Sequence, residues 1–235
     1  MGTHLVLVPG FWLGAWAWEA VAEDLRARGH RVDALTLPGL ESVRADRSGI
    51  TLDDHVGAVV KAVAGGAVVV AHSGAGPVAY AASDRVPADV ARLVYVDTGP
   101  LPEAAALRPD LDAAVAEIPL PPWAELEAAG NSLMGLDGAA LDRFRERAVP
   151  HPAGPARTPP PCAGTRAWRS RRPSCARAFR PRRSGRWRRR GTPWRVSSAG
   201  SPTCSMWICR PGTGRCGRVP PNSRRCSTRQ LAVEG

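Results

Sequence analysis

The chain has 235 residues and a formal net charge of +11, a length sufficient for one α/β domain with a sizeable core. The charge is unevenly placed: residues 1–150 hold 12 Lys and Arg against 20 Asp and Glu, while residues 151–235 hold 20 against the single acid Glu234, together with all six cysteines. No apolar run approaches the ~20 residues of a membrane span. The start, Met1-Gly2-Thr3-His4-Leu5, lacks a basic-then-apolar leader, and Val6 stands where myristoylation needs Ser or Thr. A cytoplasmic chain without membrane contact is expected, in which an even cysteine count does not imply disulfides.

In chain order, His4–Val8 reads as a short apolar strand turned by Pro9-Gly10. Trp16–Arg28 has helical spacing, with Trp18, Val21, Ala22 and Leu25 on one face and Gly29 as its C-cap. Arg31–Leu35 is a second strand, broken by Pro38-Gly39. Thr51 caps a helix over Leu52–Ala64, whose Asp53 and Asp54 suit its dipole, and Gly65-Gly66 closes it. The run Ala67–Ala71 reads as a buried parallel strand, Pro77–Ala82 as helix, and Arg92–Val96 as the next strand, ending at Asp97. Strands alternating with helices predict a parallel sheet flanked by helices with right-handed crossovers. Ligands then bind beyond the carboxyl ends of the strands, where Ser73, Asp97 and the Pro9-Gly10-Phe11 turn all fall.

Ala71-His72-Ser73-Gly74-Ala75 places a serine between strand and helix, the context of a nucleophile elbow. The usual G-x-S-x-G has alanine for both glycines here, so the turn must hold two extra methyls. The plainer alternative is a serine N-cap on an ordinary turn. Taken with Leu7-Val8-Pro9-Gly10-Phe11-Trp12-Leu13-Gly14-Ala15-Trp16, Gly29-His30 and Leu37-Pro38-Gly39, the segment resembles the α/β-hydrolase superfamily. The nearest likeness is its small esterase and hydroxynitrile-lyase-like branch, over residues 4 to about 150. That resemblance implies Ser73 as nucleophile, with the backbone N–H groups of Phe11 and Gly74 as the oxyanion hole. It also implies a core over 1–100 and a cap over 101–150, and no cofactor or metal. Leu120, Trp123, Leu133 and Met134 suggest either an apolar pocket under that cap or burial against the main domain, with helices over 123–129 and 139–147.

A serine nucleophile needs a histidine base steadied by a carboxylate. His4, His30 and His55 precede Ser73 and fall in a strand start, a helix end and a surface helix; His72 adjoins Ser73 and points away from it. His151, between Pro150 and Pro152, does not end a strand. None reads as the base. Asp97 is the in-frame acid, its alternative being a simple Asp97-Thr98-Gly99-Pro100 turn.

Residues 151–235 show no useful period. Their Arg and Trp clusters would suit phosphate contact and stacking, or a disordered arm; the cysteine spacing does not suit zinc. The single Lys61 among many arginines points to a GC-rich gene. The frame built from each codon's third base and the next codon's first two can encode V-C-T-S-F-P-A-A from Ser174 to Arg182. From Ser205 to Thr228 it can encode D-V-D-L-P-T-G-H-W-P-M-W-S-R-P-A-E-L-A-A-V-L-D, which resembles the closing elements of the same branch. Its histidine codon would span Gly212 and Thr213. A frameshift between about Arg147 and Ala163 is therefore expected, making 151–235 an aberrant or disordered tail that lacks the last strands. The expected function is a serine hydrolase for a small acyl substrate, impaired by loss of its histidine. The alternatives are a binding protein whose tail contacts nucleic acid, which is the less favoured reading, and a lyase on the same scaffold.

Overall fold

A computed structural model describes residues 2–99 and 105–160 and, as backbone, residues 206–210 and 215–219. Strands β1 (His4–Val8), β2 (Arg31–Ala34), β3 (Ala67–His72) and β4 (Val90–Val96) pair in parallel in the order β2-β1-β3-β4. Alternate side chains leave opposite faces of a strand, and this divides the core in two. Val6, Val8, Val69, Ala71, Leu93 and Tyr95 pack with helices α2 (Leu52–Ala62) and α3 (Gly76–Arg85). Leu5, Leu7, Val68, Val70 and Val94 meet Trp18 and residues Ala22 and Leu25 of α1 (Glu19–Ala27).

Local sequence sets the ends of these elements. Thr51 and Asp54 form a reciprocal capping box at the start of α2. Gly29, Gly65 and Gly66 take φ of +83°, +85° and +96° as the chain leaves its helices, a region glycine enters without steric cost. The helix expected over Trp16–Arg28 begins as a 3-10 turn, Ala15–Trp18, before α1. Its N-cap is Gly14, which offers no side-chain acceptor for the first N–H groups.

The cap is stitched from short pieces: β5 (Glu117–Ile118), α4 (Trp123–Ala128), α5 (Gly138–Arg147), β6 (His151–Pro152) and α6 (Ala153–Arg157). Described packing thus runs past the boundary expected at residue 150. α5 buries no residue of its own. Phe144 lies against Trp16 and Trp123, at ring distances of 6.2 and 5.3 Å, while Arg143 and Arg147 pair with Glu19. The backbone of β7 (Met206–Arg210) pairs antiparallel with β4, and β8 (Arg215–Val219) with β7. The edge of β4 is therefore paired, in a stretch where the sequence reading finds no strand. The remaining tail, including the hidden histidine codon at Gly212 and Thr213, lies outside the described residues. Among the described residues no helix is long and apolar enough to cross a membrane.

One cation joins cap to core. The Arg47 side chain is 3% exposed. It donates to the carbonyls of Pro150, Val43, Ala45 and Ser42 and to the Glu117 carboxylate. Removing Arg47 leaves those carbonyls without their donor while Glu117, half-exposed, turns to water, which costs about 1–3 kcal/mol. Arg47→Ala should lower unfolding free energy in urea by about that amount, whereas Val43→Ala, 63% exposed, should stay within about 0.5 kcal/mol.

Candidate active site

The strand β3 enters a 3-10 turn, Ser73–Ala75, that continues directly into α3. At the junction Ser73 has φ +49°, a left-handed conformation that costs a non-glycine residue roughly 1–2 kcal/mol. The side chain is turned out of the sheet to the head of a helix, where N–H groups and the helix dipole favour negative charge. The two alanines that replace glycine are accommodated: Ala71 and Ala75 are 0% and 2% exposed, with their methyls in the core. Gly76 needs its missing side chain, since a Cβ there would lie 2.8 Å from Thr98 Oγ1.

The loop after β1 crosses close above. A Cβ on Gly10 would sit 3.0 Å from that of Ser73, and one on Gly74 would run into the Phe11 ring. Gly10, Phe11, Ser73 and Gly74 are thereby brought together. Neither the Phe11 N–H nor the Ser73 hydroxyl has a hydrogen-bond partner among the described residues. Trp12 fixes the loop from its other side, with φ +64°. Its indole N–H donates to the Ile118 carbonyl at 2.9 Å, and its own carbonyl accepts from the Val149 N–H at 3.0 Å. The sequence offers core packing or, after Pro9-Gly10, a functional loop for Trp12; its hydrogen bonds to Ile118 and Val149 are tertiary features.

Asp97 ends β4, exposed, with φ +51°. It hydrogen-bonds no histidine among the described residues; its charge acts on His72, whose ring lies edge-on to Trp18 at 6.2 Å. Burial pushes His72 below the ordinary histidine value, and Asp97 partly opposes this. His4 pairs with Asp33 at 2.7 Å, and His30 accepts from the Thr3 N–H. No described histidine reaches Ser73.

Two histidines depart from the sequence reading. His55, expected on a surface helix, is 0% exposed and donates from Nε2 to the Pro38 carbonyl at 2.9 Å. Its position was legible, since residues 52, 55, 56, 59 and 63 share the apolar face of α2. His151, expected outside any strand, lies in β6, 3% exposed. Its ring stacks on Phe11 at 4.0 Å and meets His55 edge-on at 5.7 Å. Both line a pocket with Pro9, Phe11, Leu37 and Gly74, closed by Leu107 and Pro155. Leu120, Trp123, Leu133 and Met134 do not line it; Met134 is 67% exposed. Trp123, in α4, packs instead on Phe144 of α5 and under Arg145. The described residues contain no cluster of three or more metal-ligating side chains.

Burial lowers the pKa of His55, and His151 falls well below the ordinary value because burial is reinforced by His55. Asp54 and Glu41 partly oppose the shift at His55. Each folded-state value lies below its unfolded counterpart, so the neutral rings favour folding fully above about pH 6.5. Below it the unfolded chain takes up protons that the native chain resists, and stability falls by up to about 1.4 kcal/mol per histidine per pH unit. Urea unfolding at pH 7.5 and 5.5 should show this loss well above the carboxylate range. His151→Leu should flatten the dependence.

The chain matches the model of the alpha/beta hydrolase family over residues 5–224. It is 33% identical over 158 residues, 64% of this chain and 60% of the relative, to a carbendazim hydrolyzing esterase of Nocardioides sp. (strain SG-4G). It is 38% identical over 102 residues, 40% of this chain and 38% of the relative, to the probable esterase PIR7A of Oryza sativa subsp. indica. The chain thus spans about 60% and 38% of the lengths of these two curated relatives. Among solved structures, an extracellular alpha/beta-hydrolase from a Paenibacillus species shares the fold at a TM-score of 0.53 and 22% identity, over 66% of this chain and 69% of that one. The parallel sheet, the elbow it carries and the family match agree, and the chain belongs to the alpha/beta hydrolase family.

Proposed function

We propose that the chain is built as a serine hydrolase for an ester or related small acyl substrate, and that its turnover is impaired. The observation that carries this reading is Ser73 at φ +49° between β3 and α3, with Gly10 packed against it. Strain at a nucleophile junction is a sign of function when packing over-determines it. Ser73 Oγ would attack the acyl carbon and pass its proton to a histidine base. The carbonyl oxygen, now negative, would be held by the N–H groups of Phe11 and Gly74, donors fixed before the charge develops. The same base would return the proton to the leaving group, and water would then release the acyl group from Ser73. Asp97 would orient the base. The esterase names of the relatives accord with this chemistry.

The base is the missing part. None of the described histidines hydrogen-bonds Ser73, and the reading that restores one is the shifted frame with its histidine codon across Gly212 and Thr213. Removing a triad member costs on the order of 10⁴-fold in kcat. Hydrolysis of p-nitrophenyl acetate should therefore be near background for this chain. A version restored to the other frame after residue 160 should gain on the order of 10⁴-fold, and Ser73→Ala in that version should remove the gain. Equal high activity in both chains refutes the impairment, and inactivity of the restored chain refutes the hydrolase. The nucleotide sequence gives a second check: wobble bases that forbid the hidden frame sink the frameshift.

A further inference from the structure

His55 and His151 take no part in the proposed chemistry, yet they meet edge-on in the seam between α2 and β6, their ring centroids 5.7 Å apart. The seam has no place for a second proton on either ring. His55 Nε2 donates to the Pro38 carbonyl at 2.9 Å, and Nδ1 of each ring is buried with no hydrogen-bond partner. An imidazolium donates from both nitrogens, so a proton added at His55 Nδ1 would meet no acceptor. Its charge would lie beside Phe11, Leu37 and Pro155, and a charge on the neighbouring ring would repel it. The charged groups of the surrounding elements do not answer this. Asp54 on α2 and Glu41 before it offset only part of the burial at His55, and beside β6 Arg47 and Glu117 are bonded to each other. Burial therefore holds both rings below the ordinary histidine value, His151 well below it.

The two sides of the seam are held with unequal firmness. α2 packs through Val56 and Val59 into the large cluster that contains the sheet. β5, β6 and α6 belong to a small cluster of their own, Ile118, Ala153 and Ala156 with Phe11 and Trp12 against them. Polar ties across the boundary are few: Val149 N–H to the Trp12 carbonyl, the Trp12 indole to the Ile118 carbonyl, and Arg47 to Pro150 and Glu117. A segment with a small core and few ties opens at a lower free energy than the whole fold. We propose that the two histidines are an acid latch: a proton taken up by either ring drives β5, β6 and α6 off α2 and breaks their hold on the Phe11–Trp12 loop, while the sheet and α2 stay packed. Opening returns each exposed ring to the ordinary value of about 6.5. The closed form is thus fully favoured above that pH, and below it opening gains up to about tenfold per exposed ring per pH unit. Phe11 then loses its stack on His151 and Trp12 its bond from Val149. The consequence for catalysis, a loop no longer held beside Ser73, rests on the hydrolase reading above; the opening does not.

Hydrogen exchange of the full-length chain at pH 7.5 and 5.5, in low urea and corrected for the intrinsic rate, tests the latch. The Val149 amide and the Trp12 indole N–H should exchange through an opening with little urea dependence. The Val69 and Val70 amides of β3 should exchange only through the strongly urea-dependent unfolding of the whole fold. Going to pH 5.5 should cut protection at Val149 and the Trp12 indole by about tenfold for each histidine that opening exposes. His151→Leu should remove about tenfold of that fall, and His151→Phe, which keeps a ring on Phe11, should do the same where leucine does not fold. Urea dependence at Val149 equal to that at Val69 overturns the proposal, as does a local opening indifferent to pH. A fall that survives intact in the His151 variants overturns it too. The exchange needs no substrate, so a frame-restored chain that cleaves no ester sinks the hydrolase reading and leaves the latch standing.

Discussion

The structure turns on the junction at which β3 stops and α3 begins. Ser73 is held in a left-handed conformation that its own chemistry disfavours, so the packing on both sides must outweigh the local cost. On one side is the fully buried strand Val68–Ala71, paired with β1 and β4. On the other is α3, pressed so close to Thr98 and Gly99 after β4 that a Cβ at residue 76 would force the Thr98 side chain to move. The loop through Gly10 then closes over the serine. Two absent side chains, at Gly10 and Gly74, let the backbone and the Phe11 ring occupy that space. Position, not reactivity, is what these residues supply.

This junction was legible because it is written locally. A β-branched run, small residues and an apolar helix occupy consecutive positions, and each periodicity needs only its own segment. The alanines that depart from the usual motif proved compatible because their methyls point into the core. The cap was much less legible. β5 and β6 have two residues each, too few for any period, and form because Arg47 and Trp12 hold them from elsewhere in the chain. His151 illustrates the limit. Flanked by prolines, it reads as a loop residue, and its burial arises from Phe11 and His55, more than 90 residues away. His55 differs, because its helical position already placed it among Leu52, Val56 and Val59. Its polarity, not its periodicity, drew the surface assignment.

The segment 105–157 and the Gly10–Trp12 loop are mechanically one unit. The Trp12 indole and carbonyl both end on cap residues, the Phe11 ring lies between Gly74 and His151, and Arg47 ties Pro150 and Glu117 to the loop before α2. A shift of β6 would therefore reach the loop packed against Ser73. The small size of the pocket follows from the same closure. Side chains expected to line it, such as Trp123, are engaged instead with Phe144 and Arg145 on the outer surface.

Ser73's geometry and Ser73's reactivity have different physical origins. The first comes from burial and close packing within residues 4–157, contacts that involve no base. The second requires one additional group, a histidine whose hydrogen bond would add little to the packing. A chain can thus lose the second and keep the first. Strain at φ +49° persists as long as β3, α3 and the Gly10 loop are packed, because nothing in that balance refers to a proton acceptor. On the proposed reading, the elbow therefore keeps the geometry that the chemistry would use whether or not a base is present.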